Sequence, residues 1–286
     1  MDKKFSSNRE TAVFLAVSFG LSWLIWLGTA AVFGAGSRQH MLSQVLGQFA
    51  PLAAACAAAG RKNEIHWLFR PSGRLPALVC AFLLPGVLTL LGNALYFLLF
   101  PENFDPDLLL LRTLLAGSGV TPGKYLLMAS VQAVTLGAAV NGLFFLGEEA
   151  GFRGFLFPRL KAHFGKSGVV IGGCLWGIWL APLICLGQHY GSDYPGFPVA
   201  GIAAACLYGA ASGVVLDRIY ESGRSVLLCA VFRGAMSACG ALPALLLLPE
   251  LSPAPILGPG ECMGYITVIP LVLCAAVLFF LPEKKR

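Results

Sequence analysis

Charged side chains are scarce in this chain: Asp, Glu, Lys and Arg make up only 12% of its 286 residues. A soluble domain carries roughly twice that fraction, so the composition excludes an ordinary soluble globular protein. Hydrophobic residues make up 57% of the sequence, and the mean hydropathy is +0.76. Several runs reach the ~20 apolar residues that a helix needs to cross a bilayer. The composition predicts a polytopic membrane protein that has the lipid bilayer as its surroundings.

The sequence also lacks the motifs of several soluble functions. It has no phosphate-cradling glycine loop and no basic stretch interleaved with aromatic residues, so its net charge of +6 does not indicate nucleic-acid binding. Its nine cysteines form no CxxC pair. Eight of them lie in apolar runs and Cys262 lies near a loop, so we expect small hydrophobic side chains rather than disulfides or metal ligands.

Eight apolar runs are predicted to cross the membrane as helices, because they are long, apolar on all sides and show no strand-like alternation. The first run is too long for a signal-peptide core and is not followed by a clear cleavage site, so we expect an uncleaved first helix. Glycine and alanine in the sixth run favour close helix contact. The runs are about residues 11–34, 41–59, 75–100, 125–147, 168–187, 197–216, 226–248 and 264–281.

The distribution of basic residues predicts the orientation. With the N-terminus inside, 16 of the 20 lysines and arginines fall in cytoplasmic segments, whereas only Arg38, Arg112 and Lys124 fall in outer loops. Cytoplasmic loops carry an excess of Lys and Arg. We therefore expect an integral multi-pass protein of the bacterial inner (plasma) membrane, with both termini in the cytoplasm.

Two connecting segments have helical patterns of their own. The outer loop 101–123 contains LLLLRTLL, which can form a short amphipathic helix along the membrane interface. Residues 151–166 are apolar and basic, and we interpret them as an ordinary amphipathic elbow on the cytoplasmic side. No internal repeat or linker is visible. The sequence predicts one transmembrane domain over residues 1–286.

One charged stretch ends the fourth run, and the rest of the sequence appears arranged around it. Residues 147–160 are GEEAGFRGFLFPRL, in which Glu148 and Glu149 are adjacent and Arg153 follows one helical turn later. Charges at membrane depth are costly and indicate a functional site; the alternative is a charge cluster among the lipid headgroups. On a continuous helix Glu149 pairs with Arg153, and Glu148 projects away and is free to face a cavity. Such a glutamate can act as a general base that activates water.

This stretch resembles the EExxxR motif of the CPBP family of CAAX proteases and bacteriocin-processing enzymes, also called Abi proteins. The resemblance continues in LWGIWLAPL, residues 175–183, and in SGRSVLLCAVFRGAMSACG, residues 222–240. It implies an all-α bundle of about eight transmembrane helices with a family-like core at about residues 125–248. It also implies intramembrane peptide-bond hydrolysis by a glutamate-activated water, acting on a membrane-embedded or lipidated peptide or protein.

Two positions depart from the pattern that the resemblance implies. The second motif carries a histidine where this chain has Leu180, and the third carries a histidine and a later polar residue where this chain has Arg233 and Ser237. Glu148, Glu149 and Arg153 match the family. We interpret Trp176 and Trp179 as packing residues, and Ser237 is a weak candidate nucleophile because no base is visible beside it.

The four histidines do not restore the missing imidazoles. His40, His66, His163 and His189 all fall in predicted loops or in the elbow, so we expect no metal and no other cofactor at membrane depth. His189 follows Leu180 by nine residues, roughly 13 Å along a helix, which is too far to substitute for Leu180 unless the helix breaks.

Arg233 leads to the central hypothesis. A buried guanidinium needs an anion, and Glu148 or Glu149 is the obvious partner. The pairing makes the glutamate a poorer base, which predicts a degenerate protease homologue that binds a membrane peptide or partner. One alternative is an active CAAX-type or bacteriocin-processing endopeptidase in which Arg233 stabilises the oxyanion. Another is a small transporter component, although the chain shows no pair of broken helices in repeated halves.

Overall fold

The computed structural model describes residues 2–59, 75–249 and 256–282 of the chain. Within these residues the secondary structure is helical apart from turns and one isolated bridge between Phe104 and Leu247. The helices are α1 Asp2–Phe33, α2 Arg38–Gly47, α3 Ala50–Ala59, α4 Leu75–Leu99, α5 Leu109–Leu114, α6 Pro122–Gln132, α7 Ala138–Glu149, α8 Phe157–Phe164, α9 Ser167–Trp179, α10 Ala181–Cys185, α11 Val199–Gly223, α12 Val226–Gly240 and α13 Ile269–Phe280. Short 3-10 helices are Pro101–Asn103 and Leu242–Leu246.

Seven helical segments in the described residues are long and apolar enough to cross a membrane. They confirm the prediction of an all-α, multi-pass membrane protein and correspond to the first seven predicted runs. The eighth run is shorter than predicted: its helix, α13, has 12 residues, fewer than the ~20 that a complete crossing requires. The segments are Asn8–Phe33, Arg38–Ala59, Leu75–Leu99, Pro122–Phe164, Ser167–Cys185, Val199–Gly223 and Val226–Leu246.

The fourth run is much longer than the sequence indicated. A continuous helical segment of 43 residues covers Pro122–Phe164, because two π-helical stretches, Ala133–Gly137 and Ala150–Leu156, connect α6, α7 and α8. Thr121 caps its start by accepting a hydrogen bond from the amide of Lys124 at 3.4 Å. The prediction of a surface elbow is wrong for its first half, since all of Ala150–Leu156 is buried. Only α8 has an amphipathic, partly exposed character.

Two helix pairs form the centre of the bundle: α9 with α11, and α7 with α12. The first pair is close because Gly173 and Gly209 face each other with no room for a Cβ atom on either. This confirms the close contact expected from the glycine and alanine of the sixth run. α1 packs on α3, α4 on α12 and α13 on α11, which surrounds the central pairs.

The remaining sequence predictions have separate outcomes. All nine cysteines are free, as predicted. The short helix expected in loop 101–123 is present as α5. The prediction that His40 lies in a loop is wrong, because it lies in α2, is fully buried and contacts the hydroxyl of Thr29 at 3.2 Å. His66 lies outside the described residues.

Candidate functional site

The two adjacent carboxylates are the last two residues of α7, and both are buried. Glu148 is 1% exposed and Glu149 is 0% exposed. Glycines on either side of the two glutamates allow this burial, because they let the backbone approach α3 closely. A Cβ atom at Gly147 would lie 2.7 Å from the Cα of Phe49, and one at Gly151 would collide with Pro51. The GEEAG sequence therefore lets α7 approach the start of α3 closely enough to remove both carboxylates from the bundle surface.

Arg233 reaches the carboxylates from α12, and it does so because α7 and α12 touch through glycines. A Cβ atom at Gly142 would lie 3.2 Å from the carbonyl oxygen of Ala230, and one at Gly234 would lie 2.9 Å from the Cα of Gly142. Arg233 itself is 4% exposed. The close approach of the two backbones places its guanidinium directly beside the end of α7.

Four side chains form what we call the charge cluster: Glu148, Glu149, Arg153 and Arg233. Nε of Arg233 lies 3.6 Å from Oε1 of Glu148 and 3.9 Å from Oε1 of Glu149. Nε of Arg153 lies 3.4 Å from Oε2 of Glu149. The geometry agrees with the expected pairing of Arg233 with a glutamate, and it shows that Arg233 contacts both.

Glu148 is not free, in contrast to the sequence-based expectation. The indole Nε1 of Trp176 donates a hydrogen bond of 2.8 Å to Oε1 of Glu148, and Arg233 approaches the same oxygen. Trp176 therefore does more than pack, which corrects the earlier interpretation. Trp179 donates instead to the hydroxyl of Ser22 at 2.9 Å and lies in the hydrophobic core, as a packing residue does.

Aromatic rings enclose the guanidinium of Arg233. Its Cζ lies 4.9 Å from the ring centroids of both Phe145 and Trp176 and 5.2 Å from that of Tyr208. Its Nη1 also donates a hydrogen bond to the hydroxyl of Tyr208. Cation–π contacts contribute up to about 2 kcal/mol each where the cation is desolvated. The rings and the carboxylates together hold Arg233 in one position.

Arg153 lies in the middle of the second π-helical stretch, four residues after Glu149. It is 2% exposed, and its Cζ lies 4.3 Å from the ring centroid of Phe157. The two carboxylate oxygens of Glu149 have no hydrogen-bond partner among the described residues. The same is true of Nε and Nη1 of Arg153. Ionic contact rather than hydrogen bonding therefore holds this pair. π-helical turns are rare and occur often at functional sites.

The charge cluster is electrically balanced when all its members are ionised, with two carboxylates and two guanidinium groups. A divalent cation would have to displace an arginine to find net negative charge. Within the described part of the chain, no three His, Cys, Asp or Glu side chains come together as a ligand set. The residues here do not suit a metal.

The other predicted site residues lie away from the carboxylate contacts. Leu180 is 6% exposed and packs in the hydrophobic core. Ser237 is four residues beyond Arg233 on α12 and only half-buried, and among the described residues it makes no hydrogen bond to the cluster. His163 is exposed on α8. His189 lies in the turn after α10, as expected, because the helix ends at Cys185. Its imidazole interacts electrostatically with Arg233.

Tyr208 and Phe145 are site residues that sequence reasoning missed. Tyr208 is the one tyrosine in the glycine- and alanine-rich part of the sixth run, and a buried tyrosine hydroxyl usually needs a hydrogen-bond partner. That signal could have identified it. Phe145 lies in an apolar run among similar residues, and nothing in the sequence distinguishes it.

Comparison with known families gives a match over part of the chain. The model of a family described as type II CAAX prenyl endopeptidase Rce1-like matches residues 125–239. The matched segment contains the whole charge cluster, Trp176 and Tyr208. No curated protein matches the chain. The match supports the resemblance to the CPBP family of CAAX-type intramembrane proteases over residues 125–239.

Proposed function

We propose that this CAAX-type protease homologue has reduced or no peptidase activity. It binds a membrane-embedded or lipidated peptide or protein through its transmembrane helix bundle. The observation that carries the proposal is the contact of Arg233 with both carboxylates, at 3.6 and 3.9 Å. A general base needs an oxygen within hydrogen-bond reach of the water that it activates. Oxygen Oε1 of Glu148 is instead taken up by Trp176 and Arg233.

The packing supports the same proposal. Removing one partner of a buried ion pair leaves an uncompensated charge at a cost of about 3–5 kcal/mol. Arg233 cannot move away from Glu148 without that cost, and the rings of Phe145, Trp176 and Tyr208 resist its movement as well. Leu180 supplies no hydrogen bond to an oxyanion. Among the described residues, the site thus combines a neutralised carboxylate pair with no imidazole in hydrogen-bond or ion-pair contact.

The test is peptide cleavage in vesicles, with a fluorogenic prenylated peptide as substrate. Wild type is compared with Leu180→His/Arg233→His, with Glu148→Gln in each background as the matched control. We expect no cleavage by wild type above that of Glu148→Gln, and glutamate-dependent cleavage by the double variant. Glu148-dependent cleavage by wild type would show an active endopeptidase in which Arg233 serves the chemistry. Absence of peptide cleavage by every variant, combined with solute flux into the same vesicles, would support a transport function.

We also propose the orientation and the membrane. Both termini lie in the cytoplasm of a bacterial cell, in the inner membrane, and the single transmembrane domain covers residues 1–286. The excess of basic residues in the segments assigned to the cytoplasm supports this, even though Arg153 belongs to the charge cluster and not to a loop. A reporter fused after Arg286 that is active only in the cytoplasm tests it. Activity of a periplasmic reporter at the same position would reverse the assignment.

A further inference from the structure

A polar cavity is lined by none of the charge-cluster residues, and the proposed function does not use it. It has a volume of about 220 Å³ and is lined by Glu261, His189, Tyr190, Pro259 and Met263, among others. These residues come from the segment that follows α10 and from the segment that precedes α13. Its volume corresponds to roughly seven waters at ~30 Å³ each, which is enough for the end of an amino-acid side chain.

A break in the helix brings His189 to this cavity. α10 ends at Cys185, and the turn that follows has three residues with positive φ: Gly187 (+77°), His189 (+69°) and Gly191 (+71°). The left-handed region is uncommon for any residue other than glycine and marks strain that often accompanies function. The His189 side chain is exposed to the cavity.

The opposite wall, which carries Glu261, is held in place by specific hydrogen bonds. The side-chain amide of Asn93 donates to the carbonyl oxygen of Gly260 at 2.9 Å, and the Gly260 amide donates back to Asn93 at 2.9 Å. The hydroxyl of Tyr190 donates to the carbonyl oxygen of Met263 at 3.1 Å. The backbone on both sides of Glu261 is therefore fixed before any ligand arrives, as preorganised sites require.

Charge identifies what the cavity can bind. Glu148 and Glu149 are matched by Arg153 and Arg233 within the charge cluster. Glu261 interacts with Arg233 and His189 only at longer range, and none of the ion pairs within 4.0 Å among the described residues includes it. The carboxylate that faces the cavity thus has no cation within ion-pair distance among the described residues.

We propose that this cavity binds an organic monocation, an alkylammonium or guanidinium group, with Glu261 as its counter-ion and the imidazole of His189 as a hydrogen-bond acceptor. The apolar surfaces of Pro259, Met263 and Tyr190 suit the hydrocarbon stem of such a group. A lysine or arginine side chain of a peptide partner and a free amine share this chemistry. In the first case the proposal rests on the proposed partner-binding function; in the second it is independent of it.

The experiment measures thermal unfolding of the purified full chain in detergent, with butylammonium and butylguanidinium as probes. Butyramide is the neutral probe, and sodium chloride at equal ionic strength is the salt control. Wild type is compared with Glu261→Gln and with Glu102→Gln, which changes an exposed carboxylate of the 3-10 helix Pro101–Asn103. We expect a saturable rise in melting temperature with both cations for wild type and Glu102→Gln, and none for Glu261→Gln. An equal rise with sodium chloride or in Glu261→Gln would overturn the proposal.

Two further comparisons complete the design. Should Glu261→Gln fail to fold, Glu261→Asp keeps the charge but shortens the side chain, and we expect about tenfold weaker binding of butylammonium; unchanged affinity would contradict the site. A lysine-containing membrane peptide beside its acetyl-lysine form distinguishes the two sources of the cation. Binding of the lysine form alone supports a peptide ligand, whereas binding of free amines but neither peptide supports a small amine. Peptide cleavage is measured separately, so the proposed function can fail without this one.

Discussion

The indole Nε1 of Trp176 donates a hydrogen bond of 2.8 Å to the carboxylate oxygen of Glu148 that also lies 3.6 Å from Nε of Arg233. The three side chains come from α9, α7 and α12. A hydrogen-bond donor on α9 and a cation on α12 therefore contact the same carboxylate oxygen on α7. The carboxylate links the three helices at the centre of the bundle. This relationship makes the effects of substitutions predictable.

Replacing Arg233 with methionine should destabilise the protein by about 3–5 kcal/mol, because Glu148 then remains buried without its cation. The double variant Arg233→Met/Glu148→Gln should be more stable than Arg233→Met alone, since Glu149 and Arg153 still balance each other. Denaturant or thermal unfolding in detergent measures both. Arg112→Gln, at an exposed position, is the control and should change little. Strictly additive losses in the double variant would contradict direct pairing.

Replacing Trp176 with phenylalanine should cost about 1.5–3 kcal/mol, the range for a hydrogen bond to a charged group. The ring remains in place while the N–H donor is lost. In a double-mutant cycle with Glu148→Gln, we expect a coupling free energy of at least about 0.5 kcal/mol. Trp179→Phe, which removes the hydrogen bond to Ser22, is the matched control and should show no coupling with Glu148→Gln. Equal coupling for both tryptophans would argue against the specific contact.

The core of the site could be predicted from the sequence because charges are rare in the apolar runs. Glu148, Glu149 and Arg233 stand out against their surroundings, and burial of a guanidinium requires an anion nearby. The pairing followed without knowledge of the fold. Trp176 could not be assigned in the same way, since a tryptophan in an apolar helix packs equally well with or without a partner for its N–H group.

Other features depend on tertiary contacts that periodicity does not reveal. The run that contains Glu149 continues through Ala150–Leu156 as a buried π-helix. The sequence of this segment, by contrast, is typical of an amphipathic surface elbow. The break after Cys185 that lets His189 line the polar cavity depends on left-handed turns. The loop that contains Glu261 is positioned by Asn93, 167 residues away from Gly260 in the sequence. Long-range hydrogen bonds of this kind leave no local pattern.

Substituting alanine for Gly234 should prevent normal folding or cost more than about 3 kcal/mol, because the new Cβ atom has no space against α7. It would lie 2.9 Å from the Cα of Gly142, and the neighbouring atom is backbone that cannot rotate away. Gly20→Ala in α1, where nothing lies within 4 Å of the new Cβ atom, should be neutral or slightly stabilising. Yield of monodisperse protein and the melting temperature measure the difference. Wild-type behaviour of Gly234→Ala would mean that α7 and α12 are further apart.

Binding of butylammonium should weaken as the pH falls from 7.5 through the pKa of His189. The pKa of His189 lies below its ordinary value of 6.5, mainly because the surrounding protein desolvates the imidazole although its side chain reaches the cavity. The negative charge of Glu261 opposes this pKa shift, and the positive charge of Arg233 adds to it. The hydroxyl of Tyr190 donates a hydrogen bond to the carbonyl oxygen of Met263, and the pKa of Tyr190 is raised. His189 is therefore neutral at pH 7.5 and accepts a hydrogen bond from the ligand.

Below its pKa His189 becomes a cation, loses its acceptor and competes with the ligand for Glu261, so the dissociation constant should rise. His189→Gln keeps an acceptor but does not titrate in this range, so its dissociation constant for butylammonium should stay nearly constant over the same pH range. Measuring both proteins by the same thermal shift separates titration of His189 from any other effect of pH on binding. A parallel loss in wild type and His189→Gln would show that His189 does not cause the pH dependence.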